Sequence, residues 1–223
     1  MPSYRLTKSK FIRGLQCHKA LYLDVFHKEL AVIDDATRAK FVGGRRFEKS
    51  FKDTFPNGID ISQRLGMRID RYPELTAQLL SQPGPTTLFE AGFIYNDVLV
   101  LADVLHKSPH GLITIYEVKN SSHPKDVFLH DVAIQHHVIS HCLDSIAHFF
   151  LVYNDGNEGF AQQDLLDYAI QQEPNIAQQI IQMKDVLHGT EPNIPVGDHC
   201  TSPYLCPYLD YCRNRKGQLE LSL

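Results

Sequence analysis

Residues 99–119 read L-V-L-A-D-V-L-H-K-S-P-H-G-L-I-T-I-Y-E-V-K. Two apolar runs flank a Ser108-Pro109-His110-Gly111 turn, the pattern of two strands joined as a hairpin. Asp103 ends the first run, and Glu117 and Lys119 end the second with only Val118 between them. Residues two apart on a strand point to one face, so Glu117 and Lys119 share a face. A hairpin would bring Asp103 beside them. Two carboxylates and an ammonium on an otherwise apolar scaffold suit a hard cation and a water held over a substrate. The plainer reading is a hairpin with an exposed Glu117–Lys119 salt bridge, because E-x-K is common.

Outward from this stretch, Thr86–Tyr95 and residues 98–105 read as strands joined at Asn96-Asp97, with residues 112–118 as the third strand of a meander. A polar loop over 120–124 precedes a helix with Val127, Val132, Ile134, Val138 and Ile139 as core positions. Residues 147–153 form a further strand, ended by Asn154-Asp155-Gly156. A helix between two strands permits a crossover and a partly parallel, mixed sheet. Upstream, Thr7 or Ser9 caps a helix with Phe11, Ile12, Leu15, Leu21 and Leu23 as apolar positions. A second helix is predicted over about 39–55, stopping at Pro56-Asn57-Gly58, and a third over 73–81. Downstream, a helix covers about 175–187, and the tail from Gly189, rich in Pro and Cys, is predicted to lack long regular elements. The fold class is α/β.

The 223 residues fit one large domain, or one domain with an appendage, and 43% hydrophobic residues support a full core. The formal net charge of -4 excludes an overall basic field. Lys8, Lys10, Arg13, His18 and Lys19 nevertheless cluster near the start, and Arg45 adjoins Arg46; each group is either a phosphate contact or a solvated face. The opening M-P-S-Y-R-L-T-K-S-K has no apolar signal-peptide core, and no stretch approaches the roughly 20 apolar residues of a membrane span. The expectation is a soluble cytoplasmic protein with no membrane partner. In a reducing compartment its cysteines are metal ligands, catalysts or core thiols rather than disulfides.

The tail carries C-T-S-P-Y-L-C-P-Y-L-D-Y-C, so Cys200, Cys206 and Cys212 fall at C-x5-C-x5-C, while Cys17 lies far upstream in G-L-Q-C-H-K. Four thiolates suit a [4Fe–4S] cluster or a structural zinc, and this spacing does not choose between them; free core thiols are the bland reading. Cys142, among apolar helix residues, is expected to be a buried thiol.

Magnesium takes one or two carboxylates plus waters and phosphate oxygens. Asp103 and Glu117 can supply those carboxylates, with Lys119 placed to hold or activate a water, a set suited to phosphodiester hydrolysis. Glu90, in L-F-E-A-G-F, would add a third carboxylate, and Gln135, in A-I-Q-H-H-V-I, would reach a base or the backbone. Each alone is weak, since a buried Glu can be structural and a helical Gln usually faces water.

Glu90, Asp103, Glu117-Val118-Lys119 and Gln135, in that order, resemble the PD-(D/E)XK nuclease superfamily in its RecB-like branch. There the sheet carries the Asp and the E-x-K, and Q-x-x-x-Y follows on a helix. Gln135 matches; the tyrosine does not, since position 139 is Ile. Counted from Gly43, the branch's G-x-x-x-H motif would place its histidine at Phe47, with Glu48 next to it. One cysteine before the core and three after it resembles the iron–sulfur members, among them the AddB nuclease domain and the spacer-processing nucleases of CRISPR adaptation. S-K-S-K-F-I-R-G-L-Q-C-H-K-A-L-Y-L resembles their opening helix.

The resemblance covers nearly the whole chain. It implies a single nuclease domain, 1–223, with a restriction-endonuclease-like core over about 39–188: a mixed central sheet flanked by helices. Segments of about 9–25 and 198–214 would bind the cluster and join the N-terminal helix to the C-terminal tail. It implies a deoxyribonuclease acting on single-stranded DNA or DNA ends, exonuclease or endonuclease, in DNA repair or CRISPR adaptation. Asp103, Glu117, Glu90 and the Val118 carbonyl would hold Mg²⁺ or Mn²⁺, Lys119 and Gln135 would complete the catalytic set, and Cys17, Cys200, Cys206 and Cys212 would hold a [4Fe–4S] cluster, with structural Zn²⁺ as the alternative. No G-x-x-x-x-G-K-[ST] occurs, so any unwinding falls to a helicase or recombination partner. The absent His and Tyr motivate a second reading, a DNA-binding or assembly module of this fold without turnover.

Overall fold

The computed structural model describes residues 6–157 and 159–220. In chain order its elements are β1 (Leu6–Thr7), α1 (Lys8–Gln16), α2 (His18–Phe26), α3 (Asp35–Lys52), β2 (Ile59–Asp60), α4 (Ile61–Leu65), α5 (Tyr72–Leu80), β3 (Thr86–Tyr95), β4 (Val98–Lys107), β5 (Ile113–Lys119), α6 (Asp126–Ser140), β6 (Ile146–Asn154), β7 (Phe160–Asp164), α7 (Leu166–His188) and α8 (Leu209–Glu220). The meander is β3-β4-β5. Asn96 and Asp97 turn the first hairpin at φ +47° and +57°, the left-handed pair a two-residue I′ turn requires. Gly111, at φ +81°, turns the second.

After α6 the chain returns as β6, parallel to β5, and β7 adds an antiparallel edge. The sheet is therefore mixed and runs β2-β3-β4-β5-β6-β7. Because β3 occupies one side of β4 along its length, β1 and β5 share the other side: β1 at Val98–Leu99, β5 at Val104–Lys107.

Strand periodicity decides the two faces. Phe89, Val104, Val118 and Val152 pack with Phe51 of α3 on one. Leu88, Leu105, Ile115 and Leu151 pack with α6 and α7 on the other. Covered on both sides, the central strands read as almost unbroken apolar runs. Ile134, Val138 and Ile139 of α6 are fully buried, each worth roughly 1.5–3 kcal/mol of burial.

Several expectations are corrected. The first helix is two, broken at Cys17, whose extended φ of -166° separates α1 from α2; Thr7, rather than Ser9, caps α1. The second helix starts earlier, because Asp34 caps it by accepting the Thr37 N–H at 2.7 Å, and ends earlier. The late helix begins at Leu166 and carries Pro174 inside it. A proline there costs about 3 kcal/mol, offset by a buried stripe that passes across it: Ala169, Ile176, Ile180, Met183 and Leu187. The tail contains α8 despite its Pro and Cys content. The polar strand β7 has no alternating apolar signal and is not legible from the sequence. Cys142 is exposed, since α6 ends at Ser140 and the thiol falls in the following turn, donating to the Ile94 carbonyl. Among the described residues no helix is long and apolar enough to cross a membrane.

Candidate active site

The site lies where the β4–β5 ladder stops. Their last pair is Val104 with Tyr116. At the next position Asp103 turns its side chain into the ladder, and Oδ2 accepts the Val118 N–H at 2.7 Å. Glu117, fully buried, receives three donors. Lys8 Nζ lies 2.8 and 2.9 Å from its two oxygens, Lys119 Nζ 2.6 Å from Oε1, and Gln135 Nε2 donates to Oε2 at 2.7 Å. Lys119 also reaches Asp131 Oδ2 at 2.6 Å. Gln135 and Asp131 are four residues apart on α6, hence on one face, and Gln135 Nε2 also donates to the Asp131 carbonyl. The fully buried Gln135 leaves Oε1 with no hydrogen-bond partner among the described residues.

A second group adjoins the first. Register places Glu90 across from Asp103, between the pairs Phe89–Val104 and Ala91–Ala102. Glu90 adopts φ +55°, a conformation disfavoured for any residue with a Cβ and one that concentrates at functional sites. Glu48 arrives from α3, and Lys52, one turn on, sits 2.5 Å from Glu48 Oε1 and 2.6 Å from Glu90 Oε1. Glu48, Glu90 and Asp103 each present an oxygen within 4.8 Å of the others, a spacing that can hold a hard cation.

The electrostatics follow from crowding. Burial and the nearby Glu117 push the Asp103 carboxyl well above the usual carboxylate range. Burial also disfavours the charged form of Glu117, but Lys119 and Lys8 outweigh it and hold Glu117 at about 2. Burial would lower Lys119; Glu117, Asp131 and Asp103 together carry it well above its ordinary value. Burial raises Glu90 despite Lys52.

Beside these groups runs a groove of about 400 Å³ lined by Arg45, Glu48, Lys119, Asn120, Phe128 and Tyr204. Tyr204 comes from the cysteine-bearing tail. Gln16 of α1 holds that tail, donating to the His199 and Tyr204 carbonyls at 2.7 and 2.6 Å. Tyr208 reinforces the contact with a hydrogen bond to Asp24 of α2 at 2.9 Å. Cys17, Cys200, Cys206 and Cys212 all line one small enclosed cavity there. All four are free thiols. Burial raises the Cys206 and Cys212 thiols, and each also feels Cys17 and Cys200; Arg13 offsets part of this at Cys206, Lys19 at Cys212.

All five residues expected to form the site, Glu90, Asp103, Glu117, Lys119 and Gln135, converge, and Val118 enters through its amide. Lys8, Glu48, Lys52 and Asp131 extend the set. Glu48 has a faint sequence signal, its place beside Phe47, and Asp131 has its four-residue spacing from Gln135. Lys8 and Lys52 have none beyond charge. The N-terminal basic cluster is no single solvated face: Lys8 serves Glu117, and Lys19 lies 3.3 Å from Glu191. Phe47 packs on Phe160, and Ile139 is core, so neither position contributes a polar group.

No protein family and no curated protein matches this chain. Among solved structures the chain is similar to the crystal structure of SSO0001, at 13% identity and a TM-score of 0.44, over 87% of this chain and 81% of that one.

Proposed function

We propose that this protein is a metal-dependent deoxyribonuclease that acts on single-stranded DNA or DNA ends. The observation that carries the reading is the gathering of Glu48, Glu90 and Asp103 oxygens within 4.8 Å, with Glu48 also lining the groove that holds Lys119. The donor set fits Mg²⁺ or Mn²⁺: all oxygen, and one carboxyl, Asp103, driven up first by burial and then by the neighbouring Glu117, a repulsion that a divalent cation relieves. Asp103, Glu90, Glu48 and Glu117 would hold the ion, which supplies an activated water and neutralises phosphate charge when bound. Lys119, kept cationic by Glu117 and Asp131, orients the attacking water and steadies the phosphate. Gln135 fixes Glu117 through Nε2. Arg45 offers charge to the strand, and Tyr204, 46% exposed, offers a ring on which a base can stack.

The four thiols would hold a [4Fe–4S] cluster, or a zinc ion, that fastens the tail carrying Tyr204 to α1. The convergence of four thiols from distant segments on one cavity supports this. Iron in anaerobically purified protein sustains the cluster; stoichiometric zinc without iron replaces it.

One observation favours a module without turnover: Lys8 and Lys52 already neutralise Glu117 and the Glu48–Glu90 pair. Incubation of labelled single-stranded DNA with Mn²⁺, and with chelator as control, separates the two. Cleavage that chelator stops supports the nuclease. Retention of the DNA without cleavage at any metal concentration favours the module.

A further inference from the structure

In the last turn of α6, starting two residues after Gln135 but turned to another side of the helix, a second group has no role in the proposed reaction. His137 and His141, four residues apart, share one side of the helix end, and Glu173 of α7 meets them. His137 Nδ1 lies 2.6 Å and His141 Nδ1 3.9 Å from Glu173 Oε1. Ligand atoms from all three residues lie within 4.8 Å of one another. Tyr95, at the β3–β4 turn, stacks on the His141 ring with centroids 3.9 Å apart. His141 Nδ1 lies 2.7 Å from the His137 carbonyl, a bond that keeps the two rings together.

A simple His137–Glu173 pair accounts for only part of this. Glu173 Oε2 is buried with no hydrogen-bond partner among the described residues, and so is Nδ1 of the adjacent His136, a residue only 7% exposed. Two imidazoles at helical i, i+4 spacing with one carboxylate form a three-ligand set that leaves a fourth position open, the donor chemistry of zinc rather than of magnesium.

We propose that His137, His141 and Glu173 form a second divalent-metal site, for Zn²⁺ or a similar transition ion, that clamps the end of α6 to α7. It is independent of both the carboxylate group and the cysteines. The helix it would brace is the one that delivers Gln135 and Asp131 to Glu117.

The test uses the full-length protein, wild type beside His141→Ala and Glu173→Gln. The His141 side chain is 36% exposed, so its removal leaves the core closed. Zinc is titrated against a chromophoric chelator, and Co²⁺ is added as an optical probe. The proposal expects wild type to take up one more equivalent of Zn²⁺ than either variant. It also expects a visible Co²⁺ band without thiolate charge transfer, lost in both variants, which separates this site from the cysteines. Equal zinc stoichiometry and affinity in wild type and His141→Ala, with the same cobalt spectrum, would overturn it. Failure here leaves the nuclease reading untouched, because DNA cleavage is measured separately.

Discussion

Lys8 and Glu117, separated by 109 positions in the chain, are joined by two short bonds, 2.8 and 2.9 Å, that bring the first helix onto the end of β5. The contact exists because β1 pairs with the half of β4 that β5 does not cover, which delivers Lys8 to the point where the ladder ends. Glu117 thus carries two ammonium partners and one amide, which together offset the cost of its burial.

Lys8→Met is therefore expected to destabilise the fold by about 1–3 kcal/mol at neutral pH, less than breaking an isolated buried pair, since Lys119 and Gln135 remain. Glu117 is held at about 2, below its ordinary 4.5, so its contribution is complete above pH 4.5 and is lost as pH falls toward 2. The penalty of Lys8→Met should shrink over the same window. With a competing cation gone, the Mn²⁺ half-saturation should also fall. Thermal unfolding across pH, with and without Mn²⁺, reads both effects.

Asp103 moves in the opposite direction. Its raised value means that the carboxyl keeps its proton to higher pH than an ordinary carboxylate, and a divalent cation must compete with that proton. Mn²⁺ affinity should therefore weaken as pH is lowered, beginning at higher pH than for a site of ordinary carboxylates. Calorimetric Mn²⁺ titrations across pH on wild type and Asp103→Asn check this; the same affinity and the same pH dependence in both removes Asp103 from the ligand set.

Glu90 reverses the usual ranking of small residues in a strand. At φ +55° a Cβ is strained, so Glu90→Gly should be more stable than Glu90→Ala by about 1 kcal/mol. Both should lose Mn²⁺ affinity, since both lack the carboxylate. Chemical denaturation of the pair is the check, and an equally stable pair shows that the site stores no backbone strain.

Cys206→Ser should remove metal and stability together. Cys206 is 6% exposed and sits between segments far apart in sequence. For a chain of this size each kcal/mol lost lowers the unfolding midpoint by about 2–4 °C. Metal content and melting temperature should fall in the same preparation; a loss of neither makes the thiols ordinary core residues.

The meander was legible because its signals are local. Asn96-Asp97 and Gly111 set the turns, and alternation set the faces. Asp103, Glu117 and Lys119 could be placed together because strand parity and one hairpin register suffice. Gln135 sits inside the apolar arc of its own helix, three or four residues from Val132, Val138 and Ile139, so periodicity turns it inward; its place beside Glu117 needed the resemblance. Lys8 was beyond reach, since its role depends on a two-residue strand pairing with a segment about ninety positions away. Lys52 and Glu48 depend on where α3 crosses the sheet, which its own periodicity does not fix. The strand β7 is not legible because F-A-Q-Q-D, at an edge, needs no apolar face.

Lys119 lines the groove beside Glu48 and is held there by Glu117 and Asp131, so its removal tests the proposed chemistry most directly. The decisive measurement is the rate at which end-labelled single-stranded DNA is cleaved in Mn²⁺ by wild type and by Lys119→Ala, both shown by circular dichroism to be folded at the assay temperature. The account predicts a loss of at least about 100-fold in Lys119→Ala, the scale for removing one group that stabilises developing charge. Equal cleavage by the two folded proteins would contradict it.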